Sequence, residues 1–230
     1  MGKDHLKRLA APRSWPIERK SGTFIAKPNP GPHSLESGIP LGVLIKDILG
    51  YARTTRETKK ILQNRNILVD GIRRKEHRFI VGLMDTLEIS ELKKYYRLIF
   101  DKKGKLSLIE IKKEDAYIKP CRIRGKNKVR GKTQLSLFDG RNIVTDKDDY
   151  KVNDTLMISL PDQEIKKHIK LDKNVLVFLT GGKHIGELGL VEDIISDKIR
   201  YKAKTGEVFE TLKKYAFAIG KEKPEIKLEK

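Results

Sequence analysis

Cysteine, tryptophan and long apolar runs are all scarce in this 230-residue chain. The single cysteine, Cys121, excludes an intramolecular disulfide. Zinc ribbons and knuckles need several thiolates or imidazoles at short spacing. The five histidines (His5, His33, His77, His168 and His184) lie far apart, so no metal site is expected. The strongest apolar runs, such as VLVFL at 175–179, are far too short to span a bilayer. The opening residues MGKDHLKRL lack an apolar signal core, so the chain reads as cytosolic. Catalytic signatures are missing too: there is no GxSxG and no HExxH. The glycine-rich TGGKHIG at 180–186 has no GK[ST] ending and runs into ELGLV rather than a helix, which argues against a phosphate loop. Asp85 and the pair Asp148-Asp149 are acids without a nucleophile or base to work with. Neither an enzyme nor a cofactor is expected.

Positive charge is abundant. Fifty Lys and Arg stand against 31 Asp and Glu, a formal net charge of +19. A surface this basic repels itself unless a polyanion neutralises it, and nucleic acid is the default partner, ahead of an anionic membrane. The charge is also uneven. Residues 1–133 hold 32 basic and 14 acidic side chains, a net +18, whereas residues 134–230 hold 18 and 17, a net +1. The first part is therefore the main polyanion-facing part.

Six of the nine prolines fall within the first 40 residues, which blocks helices and sheet ladders there. An extended basic arm is expected over 1–38, with at most a short helix near 5–10, carrying Lys7, Arg8, Arg13, Arg19 and Lys20. Trp15, Ile17, Phe24 and Ile25 argue against a disordered tail and for an arm whose side chains pack or stack on RNA. With little hydrogen bonding of its own, such an arm should be open to proteases until bound. LGVLIKDIL at 41–49 predicts a short buried helix ending at Gly50. Arg53 follows, and then Thr54 and Glu57 form a capping-box pattern for a second helix reaching about Arg65. Arg56, Lys59, Lys60 and Gln63 would share one face of it, with Ile61 and Leu62 turned inward. Asp70-Gly71 marks a tight hairpin, followed by Arg73, Arg74, Lys75 and Arg78. Helix face and hairpin together make a candidate RNA-binding surface.

Strands are expected over 95–124, broken by the KKGK turn at 102–105. In 122–132 a cation occupies every second position: Arg122, Arg124, Lys126, Lys128, Arg130 and Lys132. One continuous strand would project all six to one side, whereas Gly125 and Asn127 favour a hairpin turn; either form is a basic finger. The mostly acidic 146–154 reads as a surface loop. From 171 onward short strands punctuated by Gly181, Gly182, Gly186 and Gly189 predict a small half-open barrel, and the last ten residues a solvated tail.

The arm HLKRLAAPRSWPI with KPNPGPHSLESGIPL, the VDG hairpin with its arginines, GLMDTLEI, LFDGRNI and TGGKHIGELG resemble the archaeal and eukaryotic S4e family of small-subunit ribosomal proteins. The resemblance covers almost the whole chain and looks most like the archaeal members. It implies an α+β, multidomain fold: the arm, an S4-like RNA-binding domain (39–94), a central β-domain (95–170), a KOW domain of SH3-like barrel type (171–220) and a tail (221–230). It also implies a non-enzymatic ribosomal constituent whose partners are small-subunit ribosomal RNA and neighbouring ribosomal proteins. The KOW signature carries lysine before its central glycine, where this chain has Ile185 before Gly186. The alternative is a free RNA chaperone or an elongation factor. An RNA-modifying enzyme would need a catalytic domain for which no segment is left.

Overall fold

Regular helix needs several uninterrupted turns of helix-forming residues, and only residues 55–64 supply them. In the computed structural model, which describes residues 5–221 and 223–228, strands accordingly dominate and the other helices are short. The expected α+β balance is thus corrected to a mostly β chain. It folds into two compact units: the chain up to Ile99 with Lys105–Ala116, and Phe100–Gly104 with the chain from Tyr117 on. Among the described residues no helix is long and apolar enough to cross a membrane.

In the first unit β1 (Leu6–Lys7) pairs antiparallel with β2 (Phe24–Ile25). A single 3-10 turn, Arg8–Ala10, lies between them. β3 (Gly38–Pro40) leads into α1 (Leu41–Val43), which widens at once into a π turn, Leu44–Ile48, closed by the Leu49 N–H donating to Leu44 O at 2.8 Å. α2 (Thr55–Asn64) follows, then β4 (Ile67–Val69) and β5 (Ile72–Arg73). Their turn residues Asp70 (φ 51°) and Gly71 (φ 74°) are both left-handed, which matches the type I′ turn that Asp-Gly favours. β6 (Ile80–Gly82) does not extend the hairpin; it pairs with β3. β7 (Thr86–Ile89), β8 (Lys94–Phe100) and β9 (Leu106–Ile111) complete a sheet of order β5-β4-β7-β8-β9, and α3 (Lys113–Ala116) closes the unit.

The arm belongs to this unit's core. Trp15 is 1% exposed, and its indole N–H donates to Gly38 O at 2.9 Å. His33 is buried with its Nε2 3.0 Å from Asp85 Oδ1, while Asp85 Oδ2 accepts the Gly82 N–H at 2.8 Å. A side chain at position 82 would collide with the His33 ring, so this close approach requires glycine. The disordered-tail alternative does not apply, and the arm has hydrogen bonds that its proline content did not suggest.

The second unit is built around the long strand β10 (Ile118–Val129). Its first half pairs with β13 (Thr155–Ser159), and its second half with β11 (Lys132–Leu137). β12 (Asn142–Thr145) and β14 (Ile165–Ile169) flank them in the order β12-β11-β10-β13-β14. Cys121, Ile123, Leu135, Leu137, Leu156 and Ile158 form the buried cluster. The hairpin turn is at Arg130 (φ 50°) and Gly131 (φ 79°), not at Gly125 or Asn127; Gly125 instead follows a register shift in the β10–β11 ladder.

β15 (Leu176–Leu179), β16 (Leu188–Ile195), β17 (Lys198–Ala203), β18 (Val208–Leu212) and β19 (Ala216–Gly220) form an antiparallel sheet of order β18-β17-β16-β15-β19. Gly186 has φ +82°, and a Cβ there would stand 2.5 Å from Asp101 O. The tail expected to be solvated packs back: Ile226 and Leu228 are buried, and the Glu225 N–H donates to Ile219 O at 2.9 Å. Two branched apolar side chains on a short segment are enough to favour docking over hydration.

Candidate nucleic-acid interface

The α2 N-terminus is pinned as the spacing predicted. The Glu57 N–H donates to Thr54 Oγ1 at 3.2 Å, and the Glu57 carboxylate accepts the N–H groups of Arg53 (2.8 Å) and Thr54 (3.4 Å). These backbone donors, that of Arg53 first, hold the Glu57 carboxyl below its ordinary value. Thr58 and Leu62 are buried, which fixes the helix rotation and leaves Arg56, Lys59, Lys60 and Gln63 exposed on the far side. Ile61 is only half-buried.

Arg73 joins the hairpin to this helix. Its guanidinium donates to Gln63 O at 2.9 Å, satisfying a carbonyl of the last helical turn. Arg53 and Lys75 are exposed. Arg74 and Arg78 are half-buried and serve packing: the Arg74 guanidinium lies 4.3 Å from the Phe79 ring centroid, and Arg78 Nε donates to Lys27 O at 2.8 Å. Burial, reinforced by Lys59 and Arg78 and opposed by Glu76, holds the His77 imidazole below its usual range. The face therefore consists of Arg56, Lys59, Lys60 and Arg73, with Arg53 and Lys75 at its margins.

The arm divides in the same way. Lys7, Arg13 and Lys20 are exposed. Arg8 and Trp15 of the candidate set are both buried. Arg8 donates to Glu18 O and Ser21 Oγ at 2.9 Å each and pairs with Asp47. Arg19 ties the arm to itself, donating to Ala11 O and Pro12 O at 2.8 Å each. Internal carbonyls and a carboxylate satisfy donors that would otherwise be available to phosphates.

The finger does not present six cations on one side. The register places Lys126 and Lys128 on the face of Leu135 and Thr133, whereas Lys132 shares the opposite face with Val129. Arg124 sits in the register shift and is exposed, as is Arg130 in the turn. Arg122 is engaged internally: its guanidinium donates to the carbonyls of Lys214 and Ala216, and burial, with Arg124 adding, lowers its pKa. The acidic loop, expected only as surface, lies against the finger. Asp148 pairs with Lys126 at 2.7 Å and accepts from Thr133 Oγ1 at 3.1 Å, with Lys128 at 4.0 Å; Asp146 meets Lys132 at 3.1 Å. The bond from Lys126 is first among the causes holding the Asp148 carboxyl below its ordinary value. Alternation of charge in the sequence could have signalled this pairing, but the partners lie on different strands and loops.

Phosphate contacts fix position and carry little base readout. Arg56→Ala combined with Lys60→Ala should therefore weaken ribosomal RNA binding without changing sequence preference. The log–log salt slope should fall by about one per lost duplex-like contact. Thr54→Ala is the control: losing the cap should cost about 1 kcal/mol of stability and leave the slope alone. Filter binding over a salt series checks this, and an unchanged slope in the double variant would mean that the face is merely solvated.

The comparisons with known proteins converge. The family described as ribosomal family S4e matches residues 92–165, and the RS4NT domain matches residues 1–36. The small ribosomal subunit protein eS4 of Methanosphaera stadtmanae is 45% identical, covering 97% of this chain and 95% of that protein. The protein of the same name from Methanocaldococcus jannaschii is 42% identical, covering 98% of each. The crystal structure of the 30S ribosomal protein S4e from Thermoplasma acidophilum superposes with a TM-score of 0.70 at 33% identity, covering 80% of this chain and 95% of that one. Near-complete coverage at such identity, with a shared fold, leaves one assignment: the chain belongs to the S4e family of small-subunit ribosomal proteins.

Proposed function

We propose that this chain is a structural, non-enzymatic constituent of the small ribosomal subunit, binding its ribosomal RNA and supporting subunit assembly and translation in the cytoplasm. The observation that carries this reading is the α2–hairpin face. Arg56, Lys59, Lys60 and Arg73 are exposed on two rigid elements joined by the Arg73–Gln63 bond, and among the described residues none of the four has an acidic partner. Helix, helix and hairpin over 41–73 act as the S4-like RNA-binding module, and Lys7, Arg13, Lys20, Arg124 and Arg130 supply further cations. The β15–β19 sheet is read as the KOW module. Family membership supports the same reading, as does the +18 concentrated in residues 1–133.

Co-sedimentation tests it. The protein should remain with the small subunit at one copy per particle through a high-salt wash, because a constituent held by many phosphate contacts and by neighbouring proteins dissociates slowly. Release in substoichiometric amounts would favour the free RNA chaperone or elongation factor instead.

A further inference from the structure

The arm, the α1–π-turn segment and the first turn of α2 line a half-open cavity of about 230 Å³ within the first unit. Phe24 forms one wall. Lys46, Asp47, Thr55 and His77 supply polar groups on the others. Lys46 and Asp47 come from the π turn, a helix variant frequently found at functional sites. Asp47 Oδ1 is held by Arg8, which leaves Oδ2 as an acceptor. The cavity is smaller than the roughly 300–1,000 Å³ of pockets for drug-sized ligands. It suits a single flat ring system with polar edges.

Phe24 is 57% exposed, although it is a large aromatic on a segment that buries its neighbour Ile25. Its ring is steadied by His5, centroid to centroid 5.4 Å at a tilt of 58°. Its direct cross-strand partner is Lys7, an exposed cation that the ladder sets beside it. An aromatic face flanked by a lysine and opening on a small polar cavity is the combination that single-stranded RNA-binding surfaces use: stacking for the base, charge for the backbone.

We propose that this cavity receives one unstacked base from a single-stranded segment of RNA. The base stacks on Phe24, its edge faces Asp47 and Thr55, and its phosphates lie near Lys7 and Lys46. The inference rests on the RNA-binding reading above and adds to it a site for an extruded nucleotide, next to the phosphate contacts of α2.

The test uses the full chain with two probes, single-stranded RNA of about ten nucleotides and a blunt RNA duplex of the same length. Phe24→Ala should lower affinity for the single strand by roughly 5- to 150-fold, the range of one base–aromatic stack, and leave duplex affinity unchanged. An exposed side chain can be truncated with little effect on folding. In Phe24→Trp the new indole fluorescence should be quenched by the single strand and not by the duplex; the buried Trp15 of the unmodified protein gives the baseline. Unchanged single-strand affinity in Phe24→Ala, or no quenching in Phe24→Trp, would overturn the proposal. If the Arg56 and Lys60 double variant then still lost duplex binding, the interface reading would stand without the base site. Wild-type protein that bound neither RNA at low salt would sink both.

Discussion

Trp15→Ala is expected to destabilise the arm-bearing unit by about 3–5 kcal/mol, the usual cost of deleting a buried aromatic side chain. Trp15 is the only tryptophan in the chain and is essentially sealed from solvent. Its indole N–H bonds Gly38 O at 2.9 Å and Leu35 O at 3.2 Å, so truncation leaves a cavity and unpaired carbonyls together. Typical domain stabilities are about 5–15 kcal/mol, so a loss of this size should register as a large fall in the denaturation midpoint by circular dichroism. It should also change proteolysis. In the free protein the arm should resist cleavage, because Trp15, Arg8, Arg19 and His33 hold it down; in the variant, residues 5–36 should be cut first. Trp15→Phe loses the N–H and part of the ring volume but keeps an aromatic filling most of the site, so its cost should be clearly smaller. A loss below about 1 kcal/mol in Trp15→Ala would show that the arm adds little to the folded unit.

Lys119→Ala should be at least as damaging to the second unit, at about 3–5 kcal/mol. Lys119 lies on β10 with its ammonium 3.0 Å from Asp139 Oδ2, and the two side chains are 1% and 2% exposed. Asp139 also holds Arg141, with Nε at 3.4 Å and the backbone N–H at 3.3 Å, and accepts weakly from the Cys121 thiol at 3.6 Å. Removing the ammonium takes one charged partner from a buried carboxylate that keeps Arg141 and the Cys121 thiol, in an interior where water cannot replace what is lost. The double change Lys119→Met with Asp139→Leu should recover most of the loss, since two matched apolar groups avoid the desolvation penalty of a buried charge short of a partner. Arg141, partly exposed, can hydrate its freed donors. Urea denaturation of the three variants separates the outcomes: a double variant no better than Lys119→Ala would mean that packing, not charge, sets the cost.

Neither of these residues announced itself. Lys119 and Asp139 look like two of many surface charges, because nothing within a few positions of either shows that β10 and the β11–β12 turn fold around them. Trp15 was legible as a side chain too apolar for a disordered tail, but its partner Gly38 lies 23 residues away. Phe24 stands out for the same reason, but only the β1–β2 ladder shows that Lys7 stands beside it and that the ring stays outside.

The features legible along the chain depend on neighbours a few residues apart. The α2 cap follows from Thr54 and Glu57 at a spacing of three, and the I′ turn from Asp70-Gly71, where both residues must take positive φ. The exposed face of Arg56, Lys59 and Lys60 follows from the helical period once Leu62 points inward. Family membership was legible too, because motifs such as TGGKHIGELG and the arm are read as strings. Tertiary structure alone decided which cations remain outside. Arg8 and Arg122 are drawn inward by carbonyls 10 and 92 residues distant, and Lys126 and Lys132 are met by the loop at 146–148. It also moved the finger's turn from Gly125 to Arg130-Gly131, and folded Ile226 and Leu228 onto the second unit. The physical reason is the range of the forces involved: caps and turns are satisfied within one turn of chain, whereas a buried cation is stable only where distant acceptors converge on it.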